Sequence, residues 1–511
     1  MKRSKLDVCI GTVGQDKNCI SKEEIKVKVF ADCDCNKQKP VTITVPTSFN
    51  NYWIKDIDLV NEGARVVEET SRKMVGLAQL KKDFSEQKPF RGVRITVCVT
   101  VTCETAVFAL LLHELGGEVR ICSDNLDGSN DAACALIASR GIHVFAKKGM
   151  TEEERYWSYE QAIRFHDEYG NTVSPALIVD DGGDITTYLH ERHPEVYSNS
   201  EFIGTSEQTR CGAYRVRSLR EQRKLRTPVI DVDDTKTKGL IDNASGSRES
   251  FVRGLLKAIK GRIAGKQVII FGAGRVGWDL ALVLKSFGAH VHIVEAKIFP
   301  ASRALLNGFP VLSKEQALSK GDIFITCTGV INTIDALDFR GITKCSTLEC
   351  IPIVANNGHQ GEVNTRYLDN NLLLEKAQVT EFVDRYTFPN GGSIDLLCKG
   401  RLVNFYAAEG HSPETMDATF TLHVLALLEL LIHKSKYSRA DVYRLPEELD
   451  EKASLLCFPD LRTKLVKLTD EQIRYIGKSI SHETSQITIM DILRQSKTIA
   501  KSRILAGTSS N

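Results

Sequence analysis

The chain has 511 residues, too many for one ordinary hydrophobic core, so two or three domains are expected. Hydrophobic residues make up 42% and charged residues 26%, the balance of a soluble globular protein. The formal net charge of +2 gives no bulk attraction to nucleic acid or to an acidic membrane, and neither is expected as a partner.

The basic start MKRSKLDVCIGTVGQD is not followed by an apolar segment, which argues against a secretory leader. Residues 1–51 read as an extension of weak periodicity, a mobile arm. It holds Cys9, Cys19, Cys33 and Cys35. Their C-x-C spacing without a nearby histidine does not fit the common zinc patterns, so no metal is expected. Most other cysteines lie in apolar runs such as ITVCVTVTC and DIFITCTG and read as small buried residues of a reducing, cytoplasmic setting.

From Tyr52 the pattern changes. Ile54 to Leu80 predicts one or two amphipathic helices, RGVRITVCVTV a buried strand, and ETAVFALLLHELGG a helix closed by glycines. EVRICS, GIHVFA and PALIVDDGGD predict further short strands, and the alternation predicts an α/β domain with a mainly parallel sheet. The polar stretch SLREQRKLRTPVIDVDDTKTKG is expected to carry a domain crossing. ESFVRGLLKAIKGRIAG predicts a helix, and QVIIFGAGRVGWDLALVLKSFGAHVHIVE opens a second α/β unit that DIFITCTG and CSTLECIPIVANN continue. Past Gly400 the chain turns helical. Leu422 to His433 is too short to span a bilayer and reads as a buried helix. The last ~40 residues are polar and read as a frayed tail.

Gly272, Gly274 and Gly277 form G-x-G-x-x-G with Arg275 and Val276 between them. An apolar strand precedes the motif, a helix follows, and a second strand ends in Glu295, which is the context a dinucleotide site needs. The glycines let backbone N–H groups approach a pyrophosphate, and the helix N-terminus favours its charge. Glu295 is placed to bind ribose hydroxyls and to repel a 2′-phosphate, so NAD is the expected cofactor.

From about Tyr52 to about Gly477 the chain resembles the S-adenosylhomocysteine hydrolase family. The resemblance rests on VNEGARVVEETSRKMVGL, TVCVTVTCETAVF, DNLDGSNDAACA, LIVDDGGD, KTKGLIDNASGSRES, FGAGRVG, ITCTG, NNGHQGEV, GRLVNF and GHSPETM, in that order. DVYRLPEELDEKAS is also typical of the adenosylhomocysteinase-like paralogues. The resemblance implies two Rossmann-like doubly wound α/β domains and a helical C-terminal segment. The substrate domain would span 52–232 and 404–452, the inserted NAD domain 233–403, and an oligomerisation segment and tail 453–511. It also implies a bound NAD⁺ that is not released. The substrate's ribose 3′-hydroxyl is oxidised to a ketone, homocysteine is eliminated, water adds, and the ketone is reduced back.

Residue by residue, Lys238 matches the lysine that handles the 3′-hydroxyl proton, and Asp242 the aspartate that holds the ribose hydroxyls. Asp131 matches a substrate-side aspartate, His359 the histidine at substrate and nicotinamide, and His411 the histidine of a gating loop. Thr102 matches a threonine on the adenine side. Asn243, Thr209, Thr328, Asn357, Gly358 and Asn404 match positions along the cofactor. Other positions depart. The family histidine of the elimination step is Thr100, which cannot shuttle a proton near neutral pH, and the adenine-binding glutamate is Gln208. The run Ser206-Glu207-Gln208-Thr209-Arg210-Cys211 keeps one of three threonines, a motif cysteine is Ser247, and an asparagine is Pro300. The family's terminal K-P-x-x-Y-R-Y is replaced by TSSN.

These departures fall on ligand contacts and lead to three expectations. The first is a hydrolase-like NAD protein of methionine metabolism with weak or absent turnover. It would bind an adenosine-type small molecule, form a tetramer-like homo-oligomer or a mixed oligomer with the active hydrolase, and act as a regulator. The second is a working hydrolase with an altered proton relay. The third is a scaffold with unrelated partners.

Overall fold

The computed structural model describes residues 52–167, 169–343 and 350–476, together with the backbone of 24–29 and 41–46. Cys9, Cys19, Cys33, Cys35 and the polar tail beyond 476 lie outside the described residues. The structure divides into two compact units, 1–232 with 420–511 and 233–419.

In the first unit, β1 (Glu24–Val29) and β2 (Val41–Pro46) pair antiparallel, so the extension carries two strands. The main sheet is built from β3 (Tyr52–Trp53), β4 (Arg94–Cys98), β5 (Glu118–Cys122) and β6 (His143–Phe145), then, past a small antiparallel pair of β7 (Phe165–His166) and β8 (Thr172–Val173), from β9 (Leu177–Asp180), β10 (Gly204–Glu207) and β11 (Val229–Asp231). A late strand, β19 (Val442–Arg444), joins the edge beside β11, giving the order β19-β11-β10-β9-β4-β5-β6-β3. Every pairing in it is parallel. Parallel strands covered on both faces read as unbroken apolar runs, as ITVC in β4 does: Ile95, Thr96, Val97 and Cys98 are all fully buried. The amphipathic stretch after Tyr52 forms two helices, Val60–Ser71 and Val75–Phe84.

The second unit holds β12 (Gln267–Phe271), β13 (His290–Val294), β14 (Ile323–Thr326), β15 (Ile353–Asn356), β16 (Glu375–Thr380), β17 (Val383–Thr387) and β18 (Ser393–Leu397). The order is β13-β12-β14-β15-β18-β17-β16, parallel through β18 and antiparallel beyond it. The chain leaves β12 to one side for β13 and returns to the other for β14. The carboxyl ends of β12 and β14 therefore flank a topological switch point, where open α/β sheets bind ligands.

The second crossing differs from the expected one at residue 404. It falls at Thr419–Phe420, inside the continuous helix Pro413–Ile432. Residues 404–419 stay with the second unit because the short helix Val403–Tyr406 packs on Ser247–Ile259, where a Cβ on Gly254 would lie 2.7 Å from the Val403 carbonyl oxygen. The helix Pro413–Ile432 is longer than the apolar stretch that predicts it. It is long and apolar enough to cross a membrane by length and composition, but 89% of its most apolar window is buried within the protein. It serves as a core helix, with Phe420 stacked on Phe108 at 4.6 Å in the first unit.

Candidate functional site

In the second unit, the chain turns from Phe271 through Gly272–Gly274 into the twelve-residue helix Arg275–Ser286. Each glycine of the motif has its own reason. Gly272 has φ +94°, and a Cβ there would lie 2.7 Å from the Cys327 carbonyl oxygen. A Cβ on Gly277 would lie 1.9 Å from the Gly272 oxygen, so the first helical turn packs directly on the loop. A Cβ on Gly274 would meet nothing within 4 Å. That open space adjoins a helix N-terminus, whose free N–H groups and dipole favour an anion.

Glu295, just past β13, is tied to this loop. One carboxylate oxygen accepts from the Ala273 N–H at 2.7 Å and the other from the Lys297 N–H at 2.8 Å. Arg303 donates to the Ala273 carbonyl at 2.6 Å and stacks over Trp278 at 4.3 Å. Val276 packs on the apolar core of the unit. Arg275 turns away and donates to the Asp233 carbonyl at 2.7 Å.

Thr328 follows β14, and Asn357, Gly358 and His359 follow β15. Both loops are joined by Glu362, which lies in the NNGHQGEV run but takes no role from the resemblance there. Its carboxylate accepts from the Thr328 N–H at 3.0 Å, the Thr328 hydroxyl at 2.9 Å, the Gly329 N–H at 2.6 Å and the His359 N–H at 2.8 Å. Burial raises its carboxyl above the usual range, against the pull of these same donors. A Cβ on Gly358 would lie 1.8 Å from this carboxylate, so only glycine fits there. Asn357 sits with its amide 3.9 Å from the Cys327 sulfur. Asn404 is buried, and its amide oxygen has no hydrogen-bond partner among the described residues. An orphaned acceptor, an open glycine cradle at a helix N-terminus and a carboxylate past the second strand together fit a dinucleotide.

The cluster of Lys238, Asp242 and Asn243 owes its geometry to a π-helical turn, Gly239–Gly246, inserted before the helix Ser247–Ile259. This wider turn brings residues four and five positions on from Lys238 to its side chain. The buried Lys238 Nζ donates to Asn243 Oδ1 at 2.7 Å and to Asp233 Oδ1 at 3.2 Å, and lies 3.8 Å from Asp242 Oδ2. Asp233, likewise without a role from the sequence, accepts in addition from Asn243 Nδ2 at 2.6 Å. Asp242 accepts from His411 Nδ1 at 2.7 Å and from the Thr419 hydroxyl at 2.6 Å, and His411 Nε2 lies 3.5 Å from Ser247 Oγ. Burial pushes the Asp242 carboxyl up, but Lys238, His411 and these hydrogen bonds outweigh it and hold it well below the usual carboxylate range. Gly246 lets the imidazole come this close: a Cβ there would lie 2.9 Å from His411 Nδ1.

The remaining candidates lie in the first unit, at the carboxyl ends of its strands. The Thr100 hydroxyl donates to Asp124 Oδ1 at 2.8 Å. Thr102 caps the helix Cys103–Glu114, accepting from the Thr105 N–H at 3.4 Å. Gln208 Nε2 donates to Asp181 Oδ2 at 2.7 Å, and its buried amide oxygen has no hydrogen-bond partner among the described residues. The Thr209 hydroxyl accepts from the Gly182 N–H at 2.9 Å and donates to Glu207 at 3.0 Å while capping the helix Arg210–Glu221. Asp131 stands apart from these bonds. It opens the helix Asp131–Ser139, where its carboxylate accepts from the Lys148 N–H at 2.8 Å and pairs with Lys55 at 3.2 Å. The aspartate against Gln208 is Asp181 and the one against Thr100 is Asp124. Both are visible in DNLDG and VDDGGD, but nothing in those runs shows which carboxylate local partners consume.

These ends carry an unusual density of buried acids. Burial, then Asp181 and Asp184, push the Asp124 carboxyl well up, with Thr100 and Arg155 pulling the other way. Burial likewise raises Asp180 to about 7, against hydrogen bonds from Thr186 and Ile185. Such a carboxyl binds its proton more tightly in the fold than in the unfolded chain. Its contribution is fully present below the unfolded value near 3.8 and is lost as pH rises to about 7. Asp180→Asn is therefore expected to flatten the fall in melting temperature between about pH 5 and about pH 7.5. An unchanged slope would contradict the assignment. Gln208→Glu would set a second carboxylate against Asp181, and one of the two is expected to stay protonated above about pH 5. A loss of roughly 1–3 kcal/mol of stability at about pH 8, recovered at about pH 5, is the expected result in thermal melts.

Two Rossmann-type sheets, one with a dinucleotide cradle and a buried Lys–Asp–His network in the same unit, define an NAD-binding α/β protein. The chain belongs to the S-adenosyl-L-homocysteine hydrolase family: the sequence model of S-adenosyl-L-homocysteine hydrolase matches residues 51–201, and that of its NAD binding domain matches residues 243–410. NAD is the cofactor of that domain. Among solved structures, a dipicolinate synthase from Bacillus halodurans is 12% identical over 55% of this chain and 88% of its own, at a TM-score of 0.35. A dipicolinate synthase from Bacillus subtilis is 12% identical over 66% and 97%, at 0.36. Salmonella D-lactate dehydrogenase is 11% identical over 54% and 76%, at 0.30.

Proposed function

We propose that this is an NAD-retaining, adenosylhomocysteinase-like protein of methionine metabolism. It engages the ribose of an adenosine-type ligand but hydrolyses S-adenosylhomocysteine weakly, and it acts in the cytoplasm as a regulatory partner of the active hydrolase, in a homo-oligomer or a mixed one. The observation that carries this reading is a contrast. The Lys238–Asp242–His411 network is complete, whereas Thr100 spends its hydroxyl on Asp124.

The cradle at Gly272, Gly274 and Gly277, with Glu295, Thr328, Asn357, Gly358 and Asn404, would hold NAD. Bound there, NAD supplies the oxidation and the later reduction at the ribose 3′ carbon. Lys238 would take the 3′-hydroxyl proton in its neutral amine form, becoming the ammonium that the neighbouring carboxylates hold, and Asp242, held ionised, accepts from the ribose hydroxyls. Asn243 fixes the lysine, and His359 orients the reacting end. Departure of the thiol and attack of water both need a group that gives and takes a proton near neutral pH, and Thr100 is not one. The loss of one such group costs about 10²–10⁴ in rate.

A second reading, a working hydrolase with a changed relay, draws support from Asp124. Burial pushes its carboxyl well up toward the acid form, and it sits 2.8 Å from the Thr100 hydroxyl, beside the position where the relay needs an acid. Two variants separate the readings by homocysteine release. Under the first, Thr100→His with Gln208→Glu raises the rate at least about tenfold. Under the second, Asp124→Asn alone abolishes an already substantial rate.

A further inference from the structure

The first unit holds a cleft of about 660 Å³ that no step above uses, between the helix Asp184–Arg192, the helix Arg210–Glu221 and the turn that follows. Arg215, Arg223, Lys224 and Arg226 line it, and Glu191 is the lone carboxylate among the lining residues. Arg215 is already paired with Asp184. Among the described residues no ion pair is found for Arg223, Lys224 or Arg226. With a formal charge of +2 on the whole chain, this concentration is local.

Three further features favour an occupant. Arg223 has φ +56°, a left-handed position just past a helix end that glycine takes at least cost, yet the chain keeps a cation there. The Thr187 hydroxyl on the cleft wall is buried with no partner among the described residues. His190 is fixed in one tautomer, its Nε2 accepting from the Arg226 N–H at 3.0 Å and its Nδ1 lying 2.7 Å from the Thr186 carbonyl. The Arg226 backbone is thereby pinned while its guanidinium stays free. One or two cations would answer the partial charge of a helix C-terminus; three unpaired ones exceed that need.

We propose that this cleft binds a compact polyphosphate, as the di- or triphosphate group of a small phosphorylated ligand. Guanidinium forks match phosphate oxygens two by two, a lysine adds a point charge, and the Thr187 hydroxyl adds a neutral donor. The volume is in the range of small-ligand sites.

The test is calorimetric titration of tripolyphosphate, and separately of ATP, into the full chain carrying its NAD, so that the Gly272 loop is filled. One site per chain is expected, weakening from low salt to about 0.15 M salt as exposed charges are screened. The exposed triple variant Arg223→Ala, Lys224→Ala, Arg226→Ala should keep its NAD content and melting temperature. It should lose binding by at least about a hundredfold, about fivefold for each cation. Thr187→Val should weaken it severalfold without touching charge. Binding of either probe through these cations supports the proposal, and a nucleotide source is distinguished by tighter binding of ATP than of tripolyphosphate. The proposal falls if the wild-type chain binds neither probe, or if the triple variant binds as well as wild type. It also falls if a single-stranded oligonucleotide binds these cations more tightly than either probe, with affinity rising with length.

Discussion

Lys238→Ala is expected to leave the protein barely able to oxidise the ribose 3′ position, with a fall of at least about 10³ in the rate at which reduced-cofactor absorbance appears on mixing with adenosine. The same change strips away the ammonium shared by the buried pair Asp233 and Asp242, which lie 3.2 and 3.8 Å from it. An uncompensated buried carboxylate costs about 3–5 kcal/mol, so the melting temperature should also drop. The two effects are separable. Lys238→Arg keeps the charge and should regain most of the stability but not the reaction, because a guanidinium does not surrender its proton. Recovery of the reaction by arginine would contradict the role given to Lys238.

The second large effect concerns the glycine loop, where the smaller of two substitutions should do the greater structural damage. Gly277→Ala places a methyl 1.9 Å from the Gly272 oxygen, against backbone that cannot give way, and should destabilise the whole unit by several kcal/mol. Gly274→Val adds a side chain where nothing lies within 4 Å. The NAD-free protein should therefore melt within about 0.5 kcal/mol of wild type. The added group occupies the space a pyrophosphate needs, so bound NAD should fall to near zero. Normal NAD content in Gly274→Val would mean that the dinucleotide does not use this cradle.

Much of this arrangement is legible in the residues. The Gly272 loop and Glu295 stand out because strand, glycines, helix and second strand recur at fixed spacing, and each glycine has a steric reason. Lys238, Asp242 and Asn243 are marked by the family resemblance of KTKGLIDN, but the π-helical turn that gathers them has no signal in the sequence. Glu362 lies in the NNGHQGEV run and Asp233 in none of the runs that carry the resemblance, but neither role is legible, because both depend on burial and on donors from other parts of the chain. Asp131 and Asp181 are indistinguishable as types. Only the fold shows that Lys55 and Lys148 engage the first, while the second faces Gln208. The crossing at Thr419–Phe420 is hidden because a continuous helix runs through it.

A complete ribose-handling network and NAD cradle should coexist in this chain with a crippled hydrolytic step. The most direct measurement is the rate of homocysteine release from S-adenosylhomocysteine by full-chain protein whose bound NAD has been counted after denaturation. Close to one NAD per chain is expected, with a rate at least about 10² below that of an ordinary hydrolase. NAD near zero, or turnover equal to that of an ordinary hydrolase, would contradict this reading.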